Sequence, residues 1–366
     1  MNKHIHSAPF KACTCLTIAA AATLFTGCHS IGPSTVATDR FDYSSAIADS
    51  WKQQTLLNIV KLRYLDLPVF VDVSSVVAGY SLQTGITVGG TLSTEKAIQG
   101  NFFNGSGQAV YTDRPTITYT PLTGQKFLRG LITPIDPKNI FFMLQSGYAA
   151  DFILGLTTES LNGVRNRSTT AGAVREADPE FVRALQLMRE VQMAGAVGMR
   201  VQENKDKTAT AVMFFRRDNL SPEMLDKLGE IRRLLKMPED QPQFNLIYSP
   251  TIGAPEELAV GSRSMLQIMQ AFASYTDVPE ADLKDGRATP SLSSTNSAAT
   301  RDPVKIKCNA EKPADAFASV HYRDRWFWVG DRDWRSKRAF TAIMFLFTMA
   351  ENTGEEKLPL ITIPAQ

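Results

Sequence analysis

Histidine and cysteine are almost missing from this chain, and where the few occur excludes several chemistries. Of four histidines and four cysteines in 366 residues, His4, His6, Cys13 and Cys15 fall within the first 27 positions, leaving His29, His321, Cys28 and Cys308. So few ligands cannot build a His/Cys zinc site, and no metal is expected. With Cys28 committed elsewhere, as argued below, Cys308 stands alone and no internal disulfide can form. A Ser-His-Asp or Cys-His hydrolase would have to use His321, and no G-x-S-x-G turn accompanies it. In an alternating segment beside Tyr322 and Trp326, His321 reads as structural or half-exposed. Phosphate-cradling loops are absent too. Gly85 to Gly90 and Gly105 to Gly107 fit neither a P-loop nor a dinucleotide fingerprint and read as turns, so no cofactor is expected. Ser93-Thr94-Glu95-Lys96 matches S-x-x-K without a companion K-T-G triplet and reads as chance.

A charge excess of one sign is also missing. Removing Lys3 and Lys11 with the first 27 residues takes the 39 basic side chains to 37, equal to the 37 acidic ones. A balanced surface predicts no nucleic-acid partner.

What is present begins with an address. Lys3 and Lys11 flank an apolar stretch over residues 12–25 that ends in Leu24-Phe25-Thr26-Gly27-Cys28. Positive flanks, a short apolar segment and small residues just before a cysteine make a lipoprotein signal peptide over residues 1–27, with acylation at Cys28. About fourteen apolar residues are too few to span a bilayer. Several acyl chains on one cysteine give stable anchoring, so the partner at this end is a membrane. His29 rather than Asp follows the cysteine, which by resemblance to enterobacterial lipoproteins points to the outer membrane, facing the periplasm; the inner membrane is the alternative. Residues 28–42 are expected to be a lipidated tether, aperiodic from His29 to Asp39.

The body is expected to be α+β, in two regions. In residues 43–175, a helix from Ser44 to Tyr64 is apolar on most sides and therefore central. After Pro68, alternation over residues 69–120 predicts a β-meander, broken by a loop from Asn101 to Gly107. Helices follow at Pro137 to Ser146 and Ala149 to Leu161. In residues 176–366, the order helix, hairpin, helix, strand predicts a two-layer α/β sandwich with a mostly antiparallel sheet. Its first helix starts at Asp178-Pro179 and faces Phe181, Leu185, Met188 and Val191 inward. A helix capped by Ser262 comes before residues 279–303, whose Pro, Ser, Thr and Ala predict a flexible loop. A hairpin turning near Asp324, a helix from Asp333 to Ala350 and a strand from Leu360 to Ile363 complete the chain.

Four segments carry a resemblance: Arg40-Phe41-Asp42-Tyr43, Leu57 to Tyr64, Tyr119-Thr120-Pro121-Leu122-Thr123-Gly124, and Asp331-Arg332-Asp333 leading into Ser336-Lys337-Arg338. They resemble a family of uncharacterised proteobacterial lipoproteins. The resemblance implies the same address and a shared fold, and it carries no catalytic residue.

Two classes of function remain. Around the terminal hairpin, charges of both signs form either a solvated surface or a partner-binding face with Trp326, Trp328 and Trp334 as anchors beside Arg335. Phe102 and Phe103 form either a loop folded onto the core or a partner or membrane contact. These readings predict a non-catalytic envelope protein working in assembly, secretion or surface organisation. Its contact would be an envelope protein or a second copy pairing through the meander. The alternative is a carboxylate-dependent enzyme acting on peptidoglycan or polysaccharide, with Glu159-Ser160 as a faint candidate.

Overall fold

A computed structural model of the chain describes residues 31–77, 79–91, 102–168, 175–203, 209–216, 218, 220–289 and 304–351. The signal peptide, Cys28, the Ser93 to Lys96 tetrad, the expected strand at 360–363 and most of the expected loop at 279–303 lie outside them. The chain is α+β and divides into two compact units, Met1–Ala48 with Val73–Thr120, and Asp49–Asp72 with Pro121–Gln366. The division at residue 175 expected from sequence is therefore replaced by an insertion. A continuous core and a shared sheet join residues on both sides of 175.

The first helix, α1 (Ile31–Arg63), starts well before Ser44. Residues 31–39 are helical turns rather than an aperiodic tether; Pro33 is tolerated there because a first turn needs no intrahelical N–H donor. Toward its end Leu56, Ile59 and Val60 are buried as the apolar pattern predicts, along with Asn58 and Arg63, whereas the part from Ser44 to Ser50, including Ile47, is exposed. The helix stops at Leu65, which takes a left-handed conformation at φ 59°, while the Asp66 N–H donates back to the Lys61 carbonyl.

In the second unit, β5 (Thr158–Leu161), β6 (Val164–Arg165), β7 (Val197–Glu203), β8 (Ala209–Phe215), β9 (Gln243–Tyr248) and β10 (Glu257–Ser262) form one sheet in the order β6-β5-β10-β9-β8-β7. Neighbours are antiparallel except β9 and β10. The sheet is thus mostly antiparallel, as its sequence predicts. Helices α3 (Pro137–Gln145) and α4 (Ala150–Thr157), together with α5 (Pro179–Met193) and α6 (Pro222–Leu234), supply the helical layer. Phe181, Leu185, Met188 and Val191 of α5 are all buried, as their spacing requires. Arg232 of α6 lies over the rings of Phe215 and Phe244. Asp178 precedes α5 as expected, but its carboxylate accepts from the Arg165 backbone N–H at 2.7 Å and so ties the helix start to β6.

Between α1 and α3 lies α2 (Gln125–Ile132). Helix α7 (Met265–Ser274) is capped by Ser264, not Ser262: Ser264 and Gln267 form a reciprocal capping box, and Ser262 belongs to β10. The short α8 (Glu280–Lys284) occupies part of the segment expected to be loop. Three strands, β11 (Lys307–Asn309), β12 (Ala316–Tyr322) and β13 (Arg325–Gly330), form a separate sheet. The β12–β13 turn is Arg323-Asp324, both at positive φ, the conformation of a tight two-residue hairpin. The last helix, α9 (Trp334–Glu351), packs Phe340 between Phe272 of α7 and Phe317 of β12.

In the first unit, the segment expected to be a meander pairs differently. Strand β1 (Phe70–Val77) pairs with β4 (Thr116–Leu122), and β2 (Tyr80–Thr91) pairs with β3 (Phe102–Asp113). The pairs are nested, and the Arg114 N–H donates to the Gly79 carbonyl where they meet. The result is a two-stranded ribbon, antiparallel over β2 and β3. Gly79 sits close to the opposite strand at this junction: a Cβ there would stand 3.2 Å from the Arg114 carbonyl oxygen, a tight contact.

Candidate functional site

The ribbon differs from the other sheets in having no central strand: each of its strands is an edge. Strands β2 and β3, 12 residues each, are in register from Tyr80↔Asp113 to Thr91↔Phe102. Among the described residues neither has a second partner strand, so each offers a row of backbone N–H and C=O groups along its outer edge. Proteins usually blunt such edges with Lys, Pro or inward-pointing charge. These two strands hold no Lys, Arg, Glu or Pro, and their one charged residue, Asp113, is at the end of β3. Blunting residues cluster instead near the junction and below it, at Asp72, Arg114, Pro115 and Pro121. Apolar side chains also stand in solvent along the ribbon: Val88 is 61% exposed, Tyr111 57% and Tyr119 61%.

Within the second unit, the start of β1 is held by side-chain amides of α1. Asn58 donates to the Val69 carbonyl at 2.8 Å and accepts from the Val69 N–H at 2.9 Å. Gln54 does the same for Val71, at 3.1 and 2.7 Å. One helical turn separates the two amides, and two residues separate their targets, so helix and strand spacings coincide.

The residues proposed from sequence as partner anchors fall into separate groups. Phe102 and Phe103 begin strand β3, so they belong to the ribbon rather than to a loop tip. The expected loop at Asn101 to Gly107 is strand from Phe102 onward. Trp326 and Trp328 share the outer face of the three-stranded sheet, opposite buried Phe327 and Val329. Trp326 lies across from His321, ring centroids 5.2 Å apart, and Lys312 caps its ring; Lys307 caps Trp328. Trp334 keeps different neighbours. It is 61% exposed at the start of α9, flanked by Arg335 and Arg338, and Arg338 also lies over Phe152. No shared pocket draws these tryptophans together. Lysines already cover two of the rings, as on a solvated surface.

The acid named for the alternative enzyme, Glu159, is paired in the structure. Glu159 accepts from Arg263 Nε at 3.3 Å and lies 3.8 Å from Arg175. Arg263 is buried and also donates to the carbonyls of Leu156 and Arg167, so Glu159 belongs to a structural knot under β5. The hydrogen bond from Lys227 holds Glu223 below the usual carboxylate range, and that from Arg183 does the same for Glu230. Against the upward push of burial, hydrogen bonds from Ser336 hold Asp333 low as well. A glycosidase acid requires the opposite shift. A pocket lined by Phe141, Met188, Gln145 and Met199 measures about 60 Å³, far below the few hundred Å³ of a small-molecule site.

Sequence reasoning missed one cluster at the end of α1. Tyr64 donates to Asp282 at 2.7 Å, and Asp66 receives the Tyr322 hydroxyl and Arg323, which stacks over Tyr64. Burial, reinforced by Asp282, pushes the Tyr64 phenol well above its ordinary pKa and keeps it a neutral donor. These contacts support Arg323 at φ 47°, a conformation costly for a residue of its size. Among the described residues, no group of three His, Cys, Asp or Glu is placed to hold a metal ion, and no helix is long and apolar enough to cross a membrane. No family model, curated protein or solved structure matches this chain.

Proposed function

We propose that this chain is a lipoprotein held on the periplasmic face of the outer membrane by acyl chains on Cys28, and that it works through protein contacts rather than catalysis. The ribbon of residues 73–120 is the contact element. The observation that carries this reading is the pair of unblunted edges on β2 and β3, which satisfy their backbone groups most fully by pairing with further strands. The lipobox ending at Cys28 supports the address. Resemblance to uncharacterised proteobacterial lipoproteins points the same way.

Photo-crosslinking in intact cells tests the reading. A crosslinking amino acid placed at successive positions of β2 and β3 is expected to give discrete adducts, in the acylated protein only, when compared with Cys28→Ala. Folded, membrane-bound protein that gives no adduct from any ribbon position would remove the contact role.

A further inference from the structure

We infer that ribbons from several copies of this chain join edge to edge into a closed β-barrel that crosses the membrane to which the chain is anchored. This rests on the contact role proposed above and names the partner as a second copy and the surroundings of the ribbon as lipid.

Register sorts the residues of β2 and β3 by face. The positions of Tyr80, Leu82, Ile86, Val88, Phe103 and Tyr111 share one face, where Thr84 and, at the end, Asp113 are the polar exceptions. Ser81, Gln83, Thr87, Ser106, Gln108 and Thr112 take the other, where Val110 and Phe102 are the apolar exceptions. A period of two, apolar toward lipid and polar toward a lumen, is the pattern of outer-membrane barrel strands. Exposed Val88 and Tyr111 lie on the apolar face.

Charge and length agree with this. No acidic or basic residue occurs from Tyr80 to Thr91 or from Phe102 to Thr112; Asp113 and Arg114 come only at one end. Twelve residues at ~3.4 Å each, tilted by about 45°, cover roughly 28 Å along the membrane normal, close to the ~25 Å apolar band of such barrels. Aromatic residues mark both ends of this span, Tyr80 and Tyr111 near Asp113, Phe102 and Phe103 at the other end. Barrels carry aromatic girdles at both interfaces.

The edges require more than one copy. A two-stranded ribbon alone in hydrocarbon would leave both rows of backbone groups unsatisfied, and only closure removes them. Two strands per copy give the even strand number of bacterial barrels. Gly85, Gly105 and Gly107 have nothing within 4 Å of a built Cβ, so packing within the chain does not demand glycine there. A smooth surface for close neighbouring strands accounts for them. A soluble strand pairing with one edge would leave the other edge open and the apolar face in water.

The test uses the full acylated chain in vesicles. Single cysteines replace Thr87 or Val88 in a Cys308→Ser background. Each is labelled with a polarity-sensitive fluorophore, and the protein is reconstituted in phosphatidylcholine with or without brominated acyl chains. Both positions are exposed, so neither substitution disturbs a core. The Val88 site is expected to be quenched about threefold more than the Thr87 site, as alternation demands. Equal quenching, or none, in protein that still crosslinks into oligomers overturns the barrel and leaves the contact role standing. Absence of both quenching and ribbon crosslinks removes both.

Discussion

Strands β10 and β4 are of similar length, six and seven residues, and their surroundings are opposite. Five residues of β10 are buried and the sixth is half-buried; none of the seven in β4 is buried and five are exposed. The same contrast holds between the six-stranded sheet and Gln83, Thr87, Val88 and residues 104–111 of the ribbon, all of them exposed. The sheet is stabilised by side chains packed across its faces, which ties its register to a core. The ribbon is held by its own cross-strand hydrogen bonds. Substitutions should therefore act on folding in one unit and on association in the other.

The largest expected effect is in the core. Phe272 of α7, fully buried against Phe340, should cost about 4 kcal/mol when replaced by Ala, measured by urea unfolding. Arg263→Ala comes next, at about 3 kcal/mol, because it removes the nearer cation of Glu159 and strands the carbonyls of Leu156 and Arg167. Retention of full stability there would show that the knot contributes nothing to the fold. Asp333→Ala should cost about 1 kcal/mol through loss of the cap on the Ser336 N–H. Since the Asp333 carboxyl is held below its ordinary range, its contribution is complete above roughly pH 4 and is lost as pH falls through the lowered pKa. Wild type and variant should converge in stability at low pH. Smallest is Val88→Thr, expected within about 0.5 kcal/mol of wild type in unfolding yet weakening oligomers measured by native mass spectrometry. A core-sized loss of stability at Val88 would abolish the comparison.

Much of the body was legible because its elements carry strong local signals. Helix α5 starts where Asp178-Pro179 puts it, and α5, β7, β8, α6 and β9 follow the order helix, hairpin, helix, strand that the sequence predicts, since one face of each meets a core. Strands β5 and β6 were hidden because Thr158-Glu159-Ser160-Leu161 continues an apolar helical run. The clue was Asn162-Gly163, both at positive φ, a strong two-residue hairpin signal. Strand β10 was hidden for another reason: Ala259 and Gly261 lack the bulk that marks a strand, and a Cβ at Gly261 would collide with the Ser160 hydroxyl. In the candidate site, alternation in β2 was plain. Glycines at 105 and 107 broke it in β3, and only the pairing Val88↔Gly105 and Ile86↔Gly107 makes them one side of a continuous face. Nesting of the two hairpins could not be read locally, because it depends on which distant strand each edge finds.

The amides of Gln54 and Asn58 offer Val69 and Val71 the donor and acceptor pairs that a neighbouring strand would otherwise supply. Along this edge the helix impersonates a strand for two peptide steps and then ends the disguise. A strand approaching this edge is therefore turned away at residues 69 and 71, and under the contact role proposed above α1 thereby limits where pairing between molecules can begin.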